Sequence, residues 1–436
     1  MARARKSPKE KWWQFEAMEW VALALAFLGI VAVFCIFFIR RSVIEYNVEH
    51  TYAVSDPEFF GSALALYDPV PLPGNKIELL QDGDAYFPAM LAAIRGAKKT
   101  VNFEAYILHS DKIGQTFRDA FIERAQAGVE VRLILDGIGS GWGLDNSDVG
   151  MMKEAGCKFV YYHPVLSWRI DRTNRRSHRR VLVVDGRVGF TGGAGFADQW
   201  AGHAQDKDHW HDVQVKVEGP LVSALQNAFE EHWIKTFGET LSGAHQFPAL
   251  PPAGEMKAQV IASHSFSVAP VPLTQAIAFA AAEKRIWITN PYCTPTGDQV
   301  ELLVKAVGRK VDVRLIVPGQ HNDQPLTKSA GRAAYGRMLA GGVRIFEYQP
   351  TMIHTKGMVV DGLFSLFGSS NLDPRSSAIN EELDLAIYDR EFARAMEAMF
   401  ESDLQKSTEY TYEQFKQRTL WERVTEWLML PFRSQL

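Results

Sequence analysis

The stretch His354-Thr-Lys-Gly-Met-Val-Val-Asp-Gly-Leu-Phe-Ser-Leu-Phe-Gly-Ser-Ser-Asn-Leu-Asp373 decides the fold, because polar chemistry brackets an apolar run. If Met358 to Val360 continue a strand, its period of two sends His354 and Lys356 to the same side. Asp361-Gly362 supplies a hairpin turn and Leu363 to Phe367 the returning strand. A base and a cation then stand together at one strand end. The run Gly368-Ser369-Ser370-Asn371 after the return suits a phosphate held by backbone and short side chains. Taken alone, the stretch also reads as an ordinary hairpin carrying a hydrogen-bonded histidine.

A second copy changes that reading. His178-Arg-Arg-Val-Leu-Val-Val-Asp185-Gly186 matches it position for position, with Gly192-Gly193 where Gly368-Ser369 stand. A repeat that preserved only the fold would have no reason to keep a histidine and a cation at one offset, so the pair points to one two-fold site with two histidines. The wider repeat agrees. Val129 to Leu135 echoes Val311 to Val317, and Ala155 to Pro164 echoes Gly341 to Pro350. Helical and strand patterns alternate within each copy. The fold class is therefore α/β, with two pseudo-symmetric halves over 76–250 and 255–410, each predicted as a mainly parallel sheet flanked by helices. The Pro/Gly-rich stretch Phe247 to Gly254 joins them.

The flanks carry different signals. Val21 to Ile39 holds no charge and is long enough to cross a bilayer, which predicts a transmembrane helix over 17–41. Arg3, Arg5, Lys6, Lys9 and Lys11 in the basic segment 1–16 outnumber Arg40 and Arg41 behind it. The positive-inside bias puts the N-terminus in the cytoplasm and the body outside. Residues 42–75 read as an irregular connector, a surface arm rather than core. In the tail, 411–436, Leu420, Trp421, Val424, Trp427 and Leu428 recur at helical spacing, which fits either packing on the body or lying in a membrane interface.

Composition excludes little else. With 436 residues, 47% hydrophobic and 22% charged, the chain can bury a large core, and its net charge of −4 argues against a dedicated nucleic-acid binder. Three scattered cysteines form neither a disulfide framework nor a zinc site. Arg169, Arg172, Arg175, Arg176, Arg179 and Arg180 crowd ahead of the first motif, fit either to capture anionic headgroups or to line a solvated loop. His203, His209 and His211 with Asp206 and Asp208 match no closed metal pattern.

These paired motifs resemble the phospholipase D superfamily, whose signature is His-x-Lys-x4-Asp occurring twice. The resemblance spans about residues 76 to 410, and the second copy fits fully. The run Gly368 to Ser376, followed by Asn380 and Glu382, resembles bacterial cardiolipin synthases. The resemblance implies a cell-membrane phosphatidyl transferase acting on phospholipid, phosphatidylglycerol foremost, with no metal or other cofactor. One histidine, His178 or His354, attacks phosphorus and the other serves as acid, through a phosphohistidine. Lys356 and Arg180 stabilise the charge on the phosphoryl oxygens. Ser369, Asn371 and Gly193 bind phosphate, and Asp185 and Asp361 complete the motifs with a largely structural share. Glu382 is implied as the partner of His354, and Asp212 as that of His178, following at similar intervals of 28 and 34 residues. Arg180 and Gly195 depart from the family pattern, in place of lysine and of the asparagine at 371. A hydrolase acting on phospholipid or nucleic acid, and a catalytically weak membrane scaffold, stand as the alternatives.

Overall fold

In the computed structural model, the residues described are 20, 22–29, 50–56, 59, 71–164, 174–263 and 270–429. The chain divides into two compact units, Met1–Val43 and the body from Ile44 onward. Within the first, residues 22–29 are helical, and the rest of the predicted membrane segment lies outside the described residues. No helix among the described residues is long and apolar enough to cross a membrane.

The body is built on one continuous sheet. Its first half holds β1 (Leu72–Gln81), β2 (Thr100–Ala105), β3 (Glu130–Asp136), β4 (Lys158–Tyr162), β5 (Val181–Val184), β6 (Val188–Gly192) and β7 (Val213–Glu218). The second holds β8 (Met256–Ala262), β9 (Arg285–Thr289), β10 (Asp312–Pro318), β11 (Arg344–Tyr348), β12 (Gly357–Val360), β13 (Phe364–Gly368), β14 (Leu383–Tyr388) and β15 (Ser407–Tyr410). The spatial order is β15-β11-β10-β9-β12-β13-β14-β8-β1-β7-β6-β5-β2-β3-β4. Apart from β15, one half is the mirror-ordered copy of the other, and β1 meets β8 antiparallel at the join. The repeat read in the sequence is thus a repeat of topology.

The expected mainly parallel sheet is corrected to a mixed one. Only β2–β3–β4 and β9–β10–β11 run parallel. These are the strands joined by helical crossovers: α1 (Gly83–Gly96) precedes β2, α2 (Lys112–Gln126) and α3 (Asn146–Glu154) join β2–β3–β4, and α4 (Leu221–Phe237) follows β7. In the second half α5 (Pro270–Ala281), α6 (Gly297–Gly308) and α7 (Pro325–Ala340) repeat the pattern, followed by α8 (Pro374–Ala378), α9 (Arg390–Gln405), α10 (Tyr412–Lys416) and α11 (Leu420–Met429). Two of the antiparallel pairs, β5–β6 and β12–β13, are hairpins in which a tight turn reverses the chain. Asp185-Gly186 and Asp361-Gly362 are two such turns, both residues in the left-handed region in each case.

A second correction concerns the connector. Val54 and Phe59 are buried in the core of the second half, Phe59 edge-on to Phe364 at 5.4 Å between ring centres. At least this part of the arm is core, because Phe59 also packs edge-on against Tyr388 at 6.1 Å.

Candidate active site

His178 precedes β5 and His354 precedes β12, so each half contributes one imidazole at the start of its hairpin. Each is 7% or less exposed. The segments before them are stitched across the pseudo-two-fold. The His178 N–H donates to Glu381 O at 2.8 Å and the Glu381 N–H to Arg176 O at 2.9 Å. Equivalently, the His354 N–H donates to His211 O at 2.7 Å and the His211 N–H to Met352 O at 2.9 Å.

This stitching reverses the expected carboxylate pairing. His178 Nδ1 lies 2.8 Å from Glu382 Oε2, whereas His354 Nδ1 lies 2.6 Å from Asp212 Oδ2. Each histidine is oriented by the other half. Sequence interval fails here because the segment that hydrogen-bonds alongside each histidine belongs to the opposite half. Both carboxylates are fully buried, yet both remain below their usual pKa. Burial opposes the charge, but His354 and Lys356 hold Asp212 ionised, and His178 and Ser369 do the same for Glu382.

With Nδ1–H committed to a carboxylate, Nε2 of each ring keeps a lone pair. In each half the cation two residues on donates to it. Arg180 Nη2 is 3.0 Å from His178 Nε2, and Lys356 Nζ is 3.1 Å from His354 Nε2. Burial first, then the neighbouring cation, lowers His178 to about 4 and His354 to about 3. Both imidazoles are neutral at pH 7 and nucleophilic in form. Burial lowers Lys356 to about 7, so its charge depends on what occupies the site.

The other expected residues fall into two groups. Ser369 was expected on phosphate, but its hydroxyl donates to Glu382 Oε2 at 2.6 Å, because β13 ends beside the start of β14. The Gly193 N–H is spent on Val213 O at 3.4 Å, and a Cβ there would stand 2.8 Å from Asp212 Oδ1. Gly193 thus makes room for a carboxylate. Asn371 sends its backbone N–H to Ser376 and leaves its side-chain oxygen without a protein partner. Asp185 and Asp361 sit at the far ends of β5 and β12 from the histidines. Asp185 accepts from the N–H groups of Lys98, Lys99 and Thr100, and Asp361 from those of Glu283, Lys284 and Arg285. Each clamps its hairpin turn onto the neighbouring strand.

Of the arginines expected at the mouth, Arg176 and Arg179 are interior: Arg176 meets Asp136 and His163 O, and Arg179 meets Glu231 and Ser263 O. Arg169 and Arg172 lie outside the described residues. The three clustered histidines go to separate carboxylates, His203 to Asp84, His209 to Asp206, and His211 to both Asp82 and Asp403. His211 is consequently raised to about 10: burial opposes its charge, and the two carboxylates outweigh that cost.

Several site residues escape the sequence reading. The Trp200 indole N–H donates to Asp212 Oδ2 at 3.1 Å, and its ring packs against His354 at 5.4 Å. The signal for it was Gly195, where a Cβ would stand 2.7 Å from that ring. Tyr106 meets His178 edge-on at 5.0 Å and Tyr292 meets His354 at 5.9 Å, two equivalent residues following β2 and β9.

Two histidines with crossed carboxylate partners, on a duplicated sheet with matched His-x-Arg/Lys-x4-Asp segments, place the chain in the phospholipase D superfamily. Within it, the model of the cardiolipin synthase, phospholipase D-like domain matches residues 90–233 and 275–404, and the chain belongs to that family. Cardiolipin synthase 1 of Bacillus anthracis is 33% identical over 362 residues, 81% of this chain and 71% of that one. Cardiolipin synthase A of Pseudomonas fluorescens is 34% identical over 356 residues, 79% and 72% of the two chains. Among solved structures, a phosphatidylserine synthase from Haemophilus influenzae Rd KW20 superposes with a TM-score of 0.65 at 15% identity, covering 82% of this chain and 94% of that one, and shares the fold. The protein is a phosphatidyltransferase of this superfamily.

Proposed function

We propose that the paired site condenses two phosphatidylglycerols into cardiolipin and free glycerol through a phosphatidyl-histidine. The observation that carries the reading is the crossed arrangement, Nδ1–H on a buried carboxylate and Nε2 facing a cation in both halves. A phosphodiester entering between the cations draws Arg180 and Lys356 off the two Nε2 atoms and onto its non-bridging oxygens. The site otherwise holds two carboxylates and two cations, so the added negative charge favours one protonated imidazole. Asn371 stands ready to donate from its amide.

By family resemblance the first-copy histidine, His178, is the nucleophile. Its Nε2 forms a bond to phosphorus as the phosphorus–oxygen bond to glycerol breaks. His354 delivers its proton to the departing glycerol oxygen and becomes neutral. The hydroxyl of a second phosphatidylglycerol gives its proton to His354 and attacks phosphorus. The phosphorus–nitrogen bond breaks, cardiolipin leaves, and both imidazoles regain their starting forms. Asp212 and Glu382 hold the tautomers and offset the imidazolium charge. We further propose that the apolar segment within 17–41 anchors the chain once in a bacterial cell membrane, N-terminus inside and body outside.

Incubating purified protein with phosphatidylglycerol and following lipids by mass spectrometry tests the reading. Cardiolipin with an equal amount of glycerol is expected. Phosphatidic acid without cardiolipin would make water the acceptor and overturn transfer.

A further inference from the structure

The C-terminal helix α11 is mounted the wrong way round for a helix that packs on a core. Leu420, Trp421, Val424, Trp427 and Leu428 form one face, and all five are exposed, from 37% for Val424 to 77% for Leu420. The opposite face is acidic and turned inward. Glu422 reaches Arg332 on α7 at 3.5 Å, and Glu426, only 7% exposed, reaches Arg418 at 2.5 Å. An amphipathic helix folding onto a protein buries its apolar stripe and leaves its charges in water. Here ion pairs hold the helix down and the apolar stripe looks out. The helix also starts on its own capping box, with the Thr419 N–H donating to Glu422 and the Glu422 N–H to the Thr419 hydroxyl.

The helix just before it shows the ordinary arrangement. Phe415 of α10 packs into the second-half core, where Gly336 of α7 lets it approach so closely that a Cβ there would lie 2.6 Å from the ring. One tail therefore seats one aromatic inward and, within the next turns, presents two tryptophans outward. Its position bears on the site. α7 begins at Pro325, two residues beyond Asp323, whose carboxylate accepts the hydroxyl of Tyr292 beside His354 at 2.8 Å. Arg332, where α11 is tied, lies about 10 Å along α7 from that end.

We propose that the outward face of α11 beds into the surface of a phospholipid bilayer and holds the mouth of the paired-histidine site at the headgroup level. The occupant follows from the face and its place. Two tryptophans bracketing leucine and valine on a helix with charged flanks are the residues that settle between acyl chains and water. Along α7 from it lies a site whose substrates, on the reading above, are themselves phospholipids. A helix lying in the interface lets a lipid slide in by its headgroup while its chains stay in the bilayer.

The test uses the full chain with Cys35→Ser and a fluorophore on Leu428→Cys, since Cys157 and Cys293 are buried. Reconstituted in phosphatidylglycerol vesicles, the label is expected to shift to the blue and to lose at least half its emission when the lipids carry bromine on their chains. The signal should not change on tenfold dilution with lipid. Blue emission that bromine does not quench would place a second copy, if lost on dilution, or the chain's own N-terminal segment, if kept; either overturns the proposal. Solvent-like emission overturns it as well. These readouts do not depend on turnover, so they separate this proposal from the reaction. Trp421→Glu with Trp427→Glu should slow turnover on vesicles about tenfold and leave turnover of dispersed short-chain phosphatidylglycerol unchanged. Equal loss on both substrates would count against the bilayer.

Discussion

The two half-sites perform one task with different hardware. In both, a carboxylate on one half orients the histidine of the other, and a further donor must hold the carboxylate's remaining valences. Glu382 is held locally, by the hydroxyls of Ser369 at 2.6 Å and Ser376 at 2.7 Å and by the Asn380 amide at 3.3 Å. Asp212 is one carbon shorter and is held by a large group, the Trp200 indole, with the Val213 N–H at 2.8 Å. The glycines at 193 and 195, which look like losses beside Ser369 and Asn371, are what admit Asp212 and Trp200. Departure from a motif is thus compensation when a neighbour supplies the missing donor from elsewhere in the chain.

The largest expected effect tests whether both halves are needed. His178→Ala and His354→Ala should each lower turnover by about 10⁴-fold, with phosphatidyl-histidine trapped on only one of the two in the unmodified enzyme. Turnover within tenfold of the parent in either variant would break the paired site.

A smaller effect sharpens the crossing. Asp212→Asn and Glu382→Gln should each cost roughly 100-fold. Nitrogen NMR distinguishes them: Asp212→Asn should move the ring resonances of His354 and leave those of His178, and Glu382→Gln the reverse. Each variant disturbing the histidine of its own half would sink the crossed assignment.

The smallest effect separates the cations. Lys356 is lowered to about 7 by burial, so it carries charge below that value and loses it as pH rises through it. kcat/KM should therefore fall with rising pH on a limb near 7, while the nucleophile, lowered to about 4 or 3, stays neutral down to the acid end. Lys356→Arg should lower the plateau about tenfold and carry that basic limb upward by more than one pH unit. A limb that does not move would assign it to another group.

Much of this molecule was legible in the sequence because duplication writes the same pattern twice. The hairpins at Asp185-Gly186 and Asp361-Gly362, the two histidines and their cations follow from local periodicity and turn chemistry. The sheet's mixed character could have been read from those same turns, which force antiparallel neighbours. Partnership between Glu382 and His178 could not, since it depends on how the β1–β8 join brings one half's edge to the other's. Trp200 was hidden for a related reason: its role exists only against Asp212, and its single trace was Gly195.

The crossing also sets an order of events as the chain is made. Glu382 follows His178 by 204 positions. A nascent chain that has finished its first half carries a histidine with no acceptor for Nδ1–H and an Asp212 with nothing to orient. On the proposed mechanism such a fragment lacks the acid, the second cation and the carboxylate that orients His178. Competence on that mechanism needs both halves, because His354 and Glu382 both follow β8 in the chain. The same long-range dependence predicts that a chain cut short before Glu382 is catalytically silent, not half-active.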